Sequence, residues 1–474
     1  MTPPLALHPD RALPADPRVR AIARSIYEKT AGLPLVCMHG HVEAADLATD
    51  APFSDPAELL VVPDHYVTRM LVSQGIPLER LGVRSLDPAV TSERDSRAIW
   101  RLFCANWSLY RGTPSRYWLE HELVDVFGVT ERPTAANAYR LYDQIAATLA
   151  QPEFRRLALL DRFGIELLAT TDAATSDLAQ HARLRELGYG DRVIPTFRPD
   201  AVVHPDRPAW RADVDRLGEL VDSDTGDYPG YLQALRRRRQ AFVAAGARAT
   251  DHGHDTADTT PLPAAEADRI FAAGRAGTVT ADESAAFAAH MLYLMAEMSC
   301  EDGLVMQIHP GVLRDHHDGV AATFGPDKGF DIPVPVDFTR ALRPMLQAFG
   351  HDPNFRTVLF TIDETVYSRE LAPLPGAYPS VRLGAPWWFL DSPAGMRRFR
   401  ETATETAGFY NTSGFVDDTR AFASIPARHD LSRRIDAGYL ATLVAEHRLD
   451  EDEAVDTAVD VAYRLPKLAY RIPV

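Results

Sequence analysis

Along the chain, short uninterrupted apolar runs alternate with stretches in which apolar residues recur every three or four positions. The first pattern predicts strands buried on both faces, the second helices packed along one side. Eight strand-like runs can be counted, at 33–41, 165–172, 192–198, 247–252, 304–309, 356–363, 380–386 and 414–418. Each ends in or beside polar residues fit for chemistry, and most lead into a helical segment. Polar residues gathered at the carboxyl ends of successive parallel strands describe the active face of an α/β fold, a (β/α)8 TIM-like barrel. No G-x-G-x-x-G or Walker-type loop follows any strand, which argues against a nucleotide-binding sheet.

The segments between the runs refine this outline. Residues 17–32 predict a helix, with Pro17 in its first turn, apolar positions at Val19, Ile22, Ile26 and Tyr27, and Gly32 closing it. Residues 89–160 look wholly helical, with Trp100, Phe103 and Trp107 at core spacing. That block is too long for one barrel helix and is expected to be an inserted helical subdomain. The division is then 1–88 (N-terminal helices and first strand), 89–160 (insertion) and 161–474 (the rest of the barrel). Residues 253–279, rich in alanine, threonine and aspartate, predict a polar insertion. Thr280 and Glu283 form a capping box for a helix running to about Met298.

Composition sets bounds on the function. Of 474 residues, 46% are hydrophobic and 24% charged, as in an ordinary globular protein with a large core. The formal net charge is −16, so nucleic acid and anionic membranes are excluded as partners. An anionic ligand would need arginines of its own in the site. Cys37, Cys104 and Cys300 form no C-x-x-C pair and read as reduced core residues. The N-terminus lacks a signal-peptide pattern and no apolar run reaches membrane-spanning length. A cytoplasmic homo-oligomer acting on a small molecule is the expectation.

The first strand closes in His39-Gly40-His41. Side chains two apart on a strand share a face, so both imidazoles point the same way and make half of a divalent metal site. Gly40 would leave room for a metal or substrate. An isolated H-x-H is more often two polar histidines at a strand end; its company changes the reading. Asp64-His65-Tyr66 with Arg69, Thr170-Thr171-Asp172, and Phe197-Arg198-Pro199-Asp200 come next. Asp251-His252-Gly253, Gln307-Ile308-His309, and Trp387-Trp388-Phe389 with Asp391 follow. The series ends in Asp417-Asp418-Thr419-Arg420 and Arg428-His429-Asp430, leading into Arg433-Arg434.

In this order and spacing these pieces resemble the amidohydrolase superfamily and, within it and over nearly the whole chain, the uronate isomerase (glucuronate isomerase) family. The resemblance implies interconversion of aldohexuronates and ketohexuronates, such as D-glucuronate with D-fructuronate and D-galacturonate with D-tagaturonate. It implies one divalent ion, expected to be zinc, on His39, His41 and Asp418. Tyr66, Arg198, Asp251, His309, Trp387 and Arg420 would surround the substrate. Moving a carbonyl from carbon 1 to carbon 2 needs a base that serves both carbons and a donor for the cis-enediol. Asp418 is the candidate base, and the metal or Tyr66 the stabiliser. Whether Asp418 is ligand, base or both stays open. Arg198, Arg314 or Arg420 would hold the uronate carboxylate as a bidentate pair.

Simpler readings stand beside these. Arg69, Arg248 and Arg314 could close helices or pair with surface acids, and His65 could orient its neighbours. If the segment is extended, Trp387 and Trp388 face opposite ways and only one lines the pocket. His316, His317 and Asp318 read as a solvated loop cluster. The chain also departs from the family. Ala173-Ala174 follow Thr-Thr-Asp where a second aspartate and a proline are usual. Thr361-Ile362-Asp363-Glu364-Thr365 replaces an Asn-Pro-Arg segment, so either Arg369 reaches in or the sugar-acid specificity has shifted. Asp417 is an added acid. The alternatives are a metal-dependent hydrolase of the superfamily, which no mid-strand lysine supports, and a sugar-acid sensor without turnover.

Overall fold

The computed structural model describes residues 4–474. Its barrel strands are β1 (Leu35–Cys37), β2 (Ile165–Ala169) with β3 (Asp172–Ala173), β4 (Val193–Ile194) with β5 (Phe197–Arg198), β6 (Ala249–His252) and β7 (Val305–Ile308). A two-stranded hairpin, β8 (Val312–Leu313) and β9 (Ile332–Pro333), precedes β10 (Thr357–Leu359) and β11 (Val381–Leu383). All barrel pairs are parallel, in the order β1-β2-β4 and β11-β10-β7-β6-β5-β3. One ladder runs unbroken from Leu168 N–H on Arg192 O to Ala174 N–H on Arg198 O, so β2–β3 and β4–β5 are two continuous staves.

The eighth run forms no regular strand, yet it is paired on both sides. Ser413 N–H donates to Leu383 O in β11, and Asp418 N–H donates to His39 O just past β1. The eight runs of the sequence reading thus take their places around one α/β barrel.

Side-chain alternation explains why the strands read as unbroken apolar runs. Val36 and Met38 point inward with Leu167, Ala169, Ile194, Ala249, Val305 and Val358. Leu35, Cys37 and Leu168 point outward against helices, and Ile165 joins them because the β1–β2 register shifts between Leu35 and Val36. Gly384 marks a close approach: a Cβ there would lie 2.3 Å from the Phe360 ring that plugs the barrel.

Within 89–160 the chain forms the helices Ser96–Ala105, Pro114–His121 and Ala138–Leu149 with shorter turns between them. Trp100, Phe103 and Trp107 are buried in one cluster with Leu35, Cys37 and Ile165, so this segment shares a core with the barrel's outer face. The stretch 253–279 differs from its polar reading: it contains the helix Ala264–Ala276. Ala267, Ile270, Phe271 and Gly274 are its buried stripe, a helical spacing that small residues had hidden. The capping box of Thr280 and Glu283 is formed as predicted. Among the described residues no helix is long and apolar enough to cross a membrane.

Candidate active site

Regular strand geometry ends at Cys37, and the chain bends at His39. Strict alternation would have sent His39 outward with Cys37; the bend turns it into the barrel mouth. His39 and His41 meet edge to face, with ring centroids 5.3 Å apart. Asp418 arrives from the last barrel segment, its register fixed by its own N–H on His39 O and by His41 N–H on Thr419 O, 3.1 Å. Its Oδ1 lies 3.4 Å from His39 Nε2 and 3.1 Å from His41 Nε2. Asp418 adopts φ +42°, a left-handed conformation that costs an aspartate roughly 1 kcal/mol or more. The last barrel segment packs beside Gly40, where a Cβ would lie 3.4 Å from Asp417 Oδ1, an ordinary contact.

The electrostatics of these groups suit a cation. Asp418 Oδ1 is buried and has no hydrogen-bond partner, an unsatisfied acceptor facing two imidazole nitrogens. The three ligand atoms lie within 4.8 Å of one another, and two nitrogens with one carboxylate suit a divalent ion. Burial resists ionisation of Asp418, yet the two imidazoles hold its carboxyl well below the usual range. Burial also disfavours charge on His39, but Asp251 and Asp418 outweigh it and its pKa is raised. For His41 burial prevails and the pKa is lowered. Trp387 Nε1 donates to Asp418 Oδ2.

Behind this trio lies a second carboxylate. Asp251, on β6, has no exposed surface; its Oδ1 accepts from His309 Nε2 at 2.8 Å and lies 3.6 Å from His39 Nδ1. Its Oδ2 is 3.5 Å from Arg198 Nη1. Arg198, closing β5, donates through Nε to Asp200 Oδ2 at 2.8 Å. Gly253 permits this crowding, since a Cβ would sit 2.6 Å from Arg198 Nη2 and 3.1 Å from His309 Cε1. His309 packs on Trp387 with centroids 4.9 Å apart.

Above these groups opens a cavity of about 390 Å³. On one side Tyr66, at the start of the helix His65–Val72, donates its hydroxyl to Asp391 Oδ1 (3.0 Å) and accepts from Phe389 N–H (3.1 Å). Buried Arg428 donates to Asp391 Oδ2 at 3.0 Å and lies over the Trp118 ring. On the opposite side the β8–β9 hairpin supplies Arg314, Asp315, Asp327 and Asp331. Arg314 is paired with Asp331 and Arg420 with Asp327.

Residues 18–468 match the family model described as glucuronate isomerase. The chain belongs to that family. A uronate isomerase of Rhizorhabdus wittichii is 56% identical over 470 residues, covering 99% of each chain. The crystal structure of glucuronate isomerase from Caulobacter crescentus superposes with a TM-score of 0.96 at 50% identity, over 99% of this chain and 97% of that one. That of uronate isomerase from Thermotoga maritima gives 0.91 at 28% identity, over 98% and 99%. The family and the α/β barrel read from the sequence are both borne out.

Within this glucuronate isomerase family member, the structure brings His39, His41, His65, Tyr66, Arg198, His309, Arg314, Trp387, Asp418 and Arg420 to one cavity. Asp251 is not in its wall but buried behind His39 and His309, where it orients them. Trp388 lines the cavity together with Trp387, against the expectation that only one could. The segment is a turn, not a strand: Leu390 N–H bonds to Trp387 O, and Phe389 has φ +64°. Arg369 does not reach in; it is exposed and pairs with Glu370. His317 Nδ1 caps the helix Asp318–Phe324. The added acid Asp417 turns away from the cavity toward His429 Nε2 (3.3 Å), itself 3.5 Å from Cys37 Sγ. Sequence reasoning missed Arg207, Asp327 and Asp331. They sit in irregular segments without a motif, and nothing in the sequence marks them.

Proposed function

We propose that this protein interconverts aldohexuronates and ketohexuronates, D-glucuronate with D-fructuronate and D-galacturonate with D-tagaturonate, by proton transfer through a cis-enediol. Full-length membership of the glucuronate isomerase family supports the reaction class. The observation that carries the mechanism is the buried, unpartnered Oδ1 of Asp418 between two imidazoles at the cavity floor. His39, His41 and Asp418 would hold one divalent ion, taken to be zinc. Bound there, such an ion supplies Lewis-acid polarisation of a substrate oxygen. The working compartment is taken to be the cytoplasm and the assembly a homo-oligomer.

The remaining chemistry falls to side chains. Asp418 takes the proton from carbon 2 of the aldose and returns it to carbon 1, the two positions lying on one face of a planar enediol. The two imidazoles hold its carboxyl below the usual range, so it stands ionised and able to accept a proton. In the same conversion one proton leaves the carbon 2 hydroxyl and one arrives on the carbon 1 oxygen. Tyr66, whose phenol burial and Asp391 keep protonated, would hold a proton at that position on turning from Asp391 to the substrate. His309, anchored by Asp251, offers its other ring nitrogen, Nδ1, which has no partner. Arg198, Arg420, His65 and Trp387 position the sugar, and Trp387 also steadies the base.

The test is incubation with glucuronate and galacturonate in deuterated water, followed by NMR. Ketose formation with deuterium entering at carbon 2 of the aldose or carbon 1 of the ketose is expected. Ketose without deuterium would replace proton transfer by a shielded transfer or a hydride shift. No ketose, together with cleavage of an ester or amide panel, would favour a hydrolase. Among the described residues no lysine lines the cavity to bridge two metals, which disfavours that outcome.

A further inference from the structure

Outside the cavity a second group of ligating side chains converges. Cys37, Asp417 and His429 present one atom each, all within 4.8 Å of one another, and all three residues are buried. Cys37 points outward from β1 and His429 comes from the helix Ile425–Ala445, so the group faces away from the sugar. Its sulfur, nitrogen and oxygen donors differ in kind from the two imidazoles and one carboxylate at the cavity floor.

The contacts converge on a point and do not form a hydrogen-bonded relay. His429 Nε2 lies 3.5 Å from Cys37 Sγ and 3.3 Å from Asp417 Oδ2. A relay would use both ring nitrogens, one toward the thiol and one toward the carboxylate; here a single nitrogen faces both. Nor is 3.3 Å the length of a direct buried imidazole–carboxylate bond, which is 2.8 Å between His309 and Asp251. It matches the spacing among His39, His41 and Asp418, 3.4 and 3.1 Å. Around a tetrahedral zinc ion the bond lengths place nitrogen and oxygen about 3.4 Å apart, and nitrogen and sulfur about 3.6 Å.

Charge points the same way. Asp417 is 2% exposed, and among the described residues no arginine or lysine lies within ion-pair distance of its carboxylate. An acid so deeply buried is almost always paired. A divalent cation held by one thiolate and one carboxylate is neutral overall, with a neutral imidazole as third ligand. The second oxygen of Asp417 can supply a fourth donor. Phe415 packs edge to face on the His429 ring, centroids 5.0 Å apart, which holds the ring in this orientation.

We infer that Cys37, Asp417 and His429 form a second, structural metal site for a thiolate-binding divalent ion of the zinc class. Binding releases the Cys37 thiol proton to solvent; sulfur, Nε2 and carboxylate each donate an electron pair, and nothing is oxidised or reduced. The ion clamps β1, the last barrel segment and the outer helix at the seam where the barrel closes. Cys37 and His429 are 392 residues apart in sequence, so the site exists only once the barrel has closed, and the ion is enclosed during folding.

The test uses cobalt(II) in place of zinc, supplied in the growth medium so that it is present while the chain folds. Wild type, Cys37→Ser, His429→Gln and the double variant His39→Ala with His41→Ala are read by metal analysis and absorption. A near-ultraviolet thiolate-to-cobalt charge-transfer band reports sulfur ligation, which the trio at the cavity floor cannot give. Wild type is expected to hold about two ions per chain and to show the band. The double histidine variant should keep the band with about one ion. Cys37→Ser should lose the band and about one ion; His429→Gln keeps every cysteine and should lose the same ion, so the assignment does not hang on one variant. No band in wild type, no band in the double histidine variant, or a band that survives Cys37→Ser overturns the site and leaves a hydrogen-bonded trio.

Discussion

The ion pair of Arg428 and Asp391 offers the sharpest test of how the cavity wall is held. Both side chains are buried, and Arg428 also covers the Trp118 ring at 3.7 Å. Burial pushes Asp391 up to about 6, even though Arg428 and Tyr66 pull it down. A carboxyl held near 6 when folded and near 4 when unfolded costs the native state about 3 kcal/mol above pH 6. That penalty vanishes below about pH 4, where both states are protonated. Arg428→Met removes the compensating cation and strands the carboxylate, a loss of about 3–5 kcal/mol at neutral pH. Over 474 residues the entropy of unfolding is about 1 kcal/mol per kelvin, so the melting temperature should fall by about 3–5 °C. Without Arg428 the folded pKa of Asp391 rises further. Acidification then protonates the native variant at a pH where the unfolded carboxyl is still ionised, and the deficit should shrink toward about pH 5. The double variant Arg428→Met with Asp391→Asn buries no charge and should recover most of the loss. Circular dichroism melts at the two pH values read all three. A single variant that melts like wild type, a deficit indifferent to pH, or a double variant no better than the single one would refute the reasoning.

Other expectations concern the chemistry. Asp418→Asn should lower kcat by about 100-fold or more, and metal analysis beside His39→Ala separates the base from the ligand role: full metal with lost turnover assigns the base. Trp387→Phe keeps the packing on His309 but deletes the indole donor to Asp418, so turnover should fall about 10-fold with the melting temperature unchanged. Gly253→Ala drives a methyl into Arg198 and His309 and should impair kcat/KM more than stability; normal kinetics would show that the two side chains retreat without consequence. Gly384→Ala meets an aromatic ring and should instead lower stability, by about 1–3 kcal/mol in denaturant unfolding.

The barrel and the candidate trio of His39, His41 and Asp418 were legible because strong constraints act there. A strand buried on both faces can hardly be written except as an apolar run, and a cation restricts its ligands to a few residue types at strand ends. Legibility failed where tertiary contacts override local rules. The two-residue alternation misplaced Trp388 because it assumes an extended chain, whereas Phe389 turns the backbone left-handed. Alanines and a glycine concealed the helix at 264–276, since its buried stripe carries only two large side chains, Ile270 and Phe271. The partners of Arg314 and Arg420 lie on a hairpin whose approach no local pattern encodes.

Asp417 and Asp418 show how a single dipeptide serves both fold and chemistry. In the structure the two neighbours face different ways, Asp417 toward His429 and Asp418 toward the two imidazoles. Asp417 goes outward, where His429 on the helix Ile425–Ala445 meets it beside Cys37 of β1. That buried contact ties the last segment to the first strand and to a long outer helix. Asp418 is thereby delivered inward in a left-handed conformation it would not hold alone, its carboxylate aimed between two imidazoles. The extra acid, which in the sequence looked like added charge at the site, works instead as the anchor against which Asp418 is set.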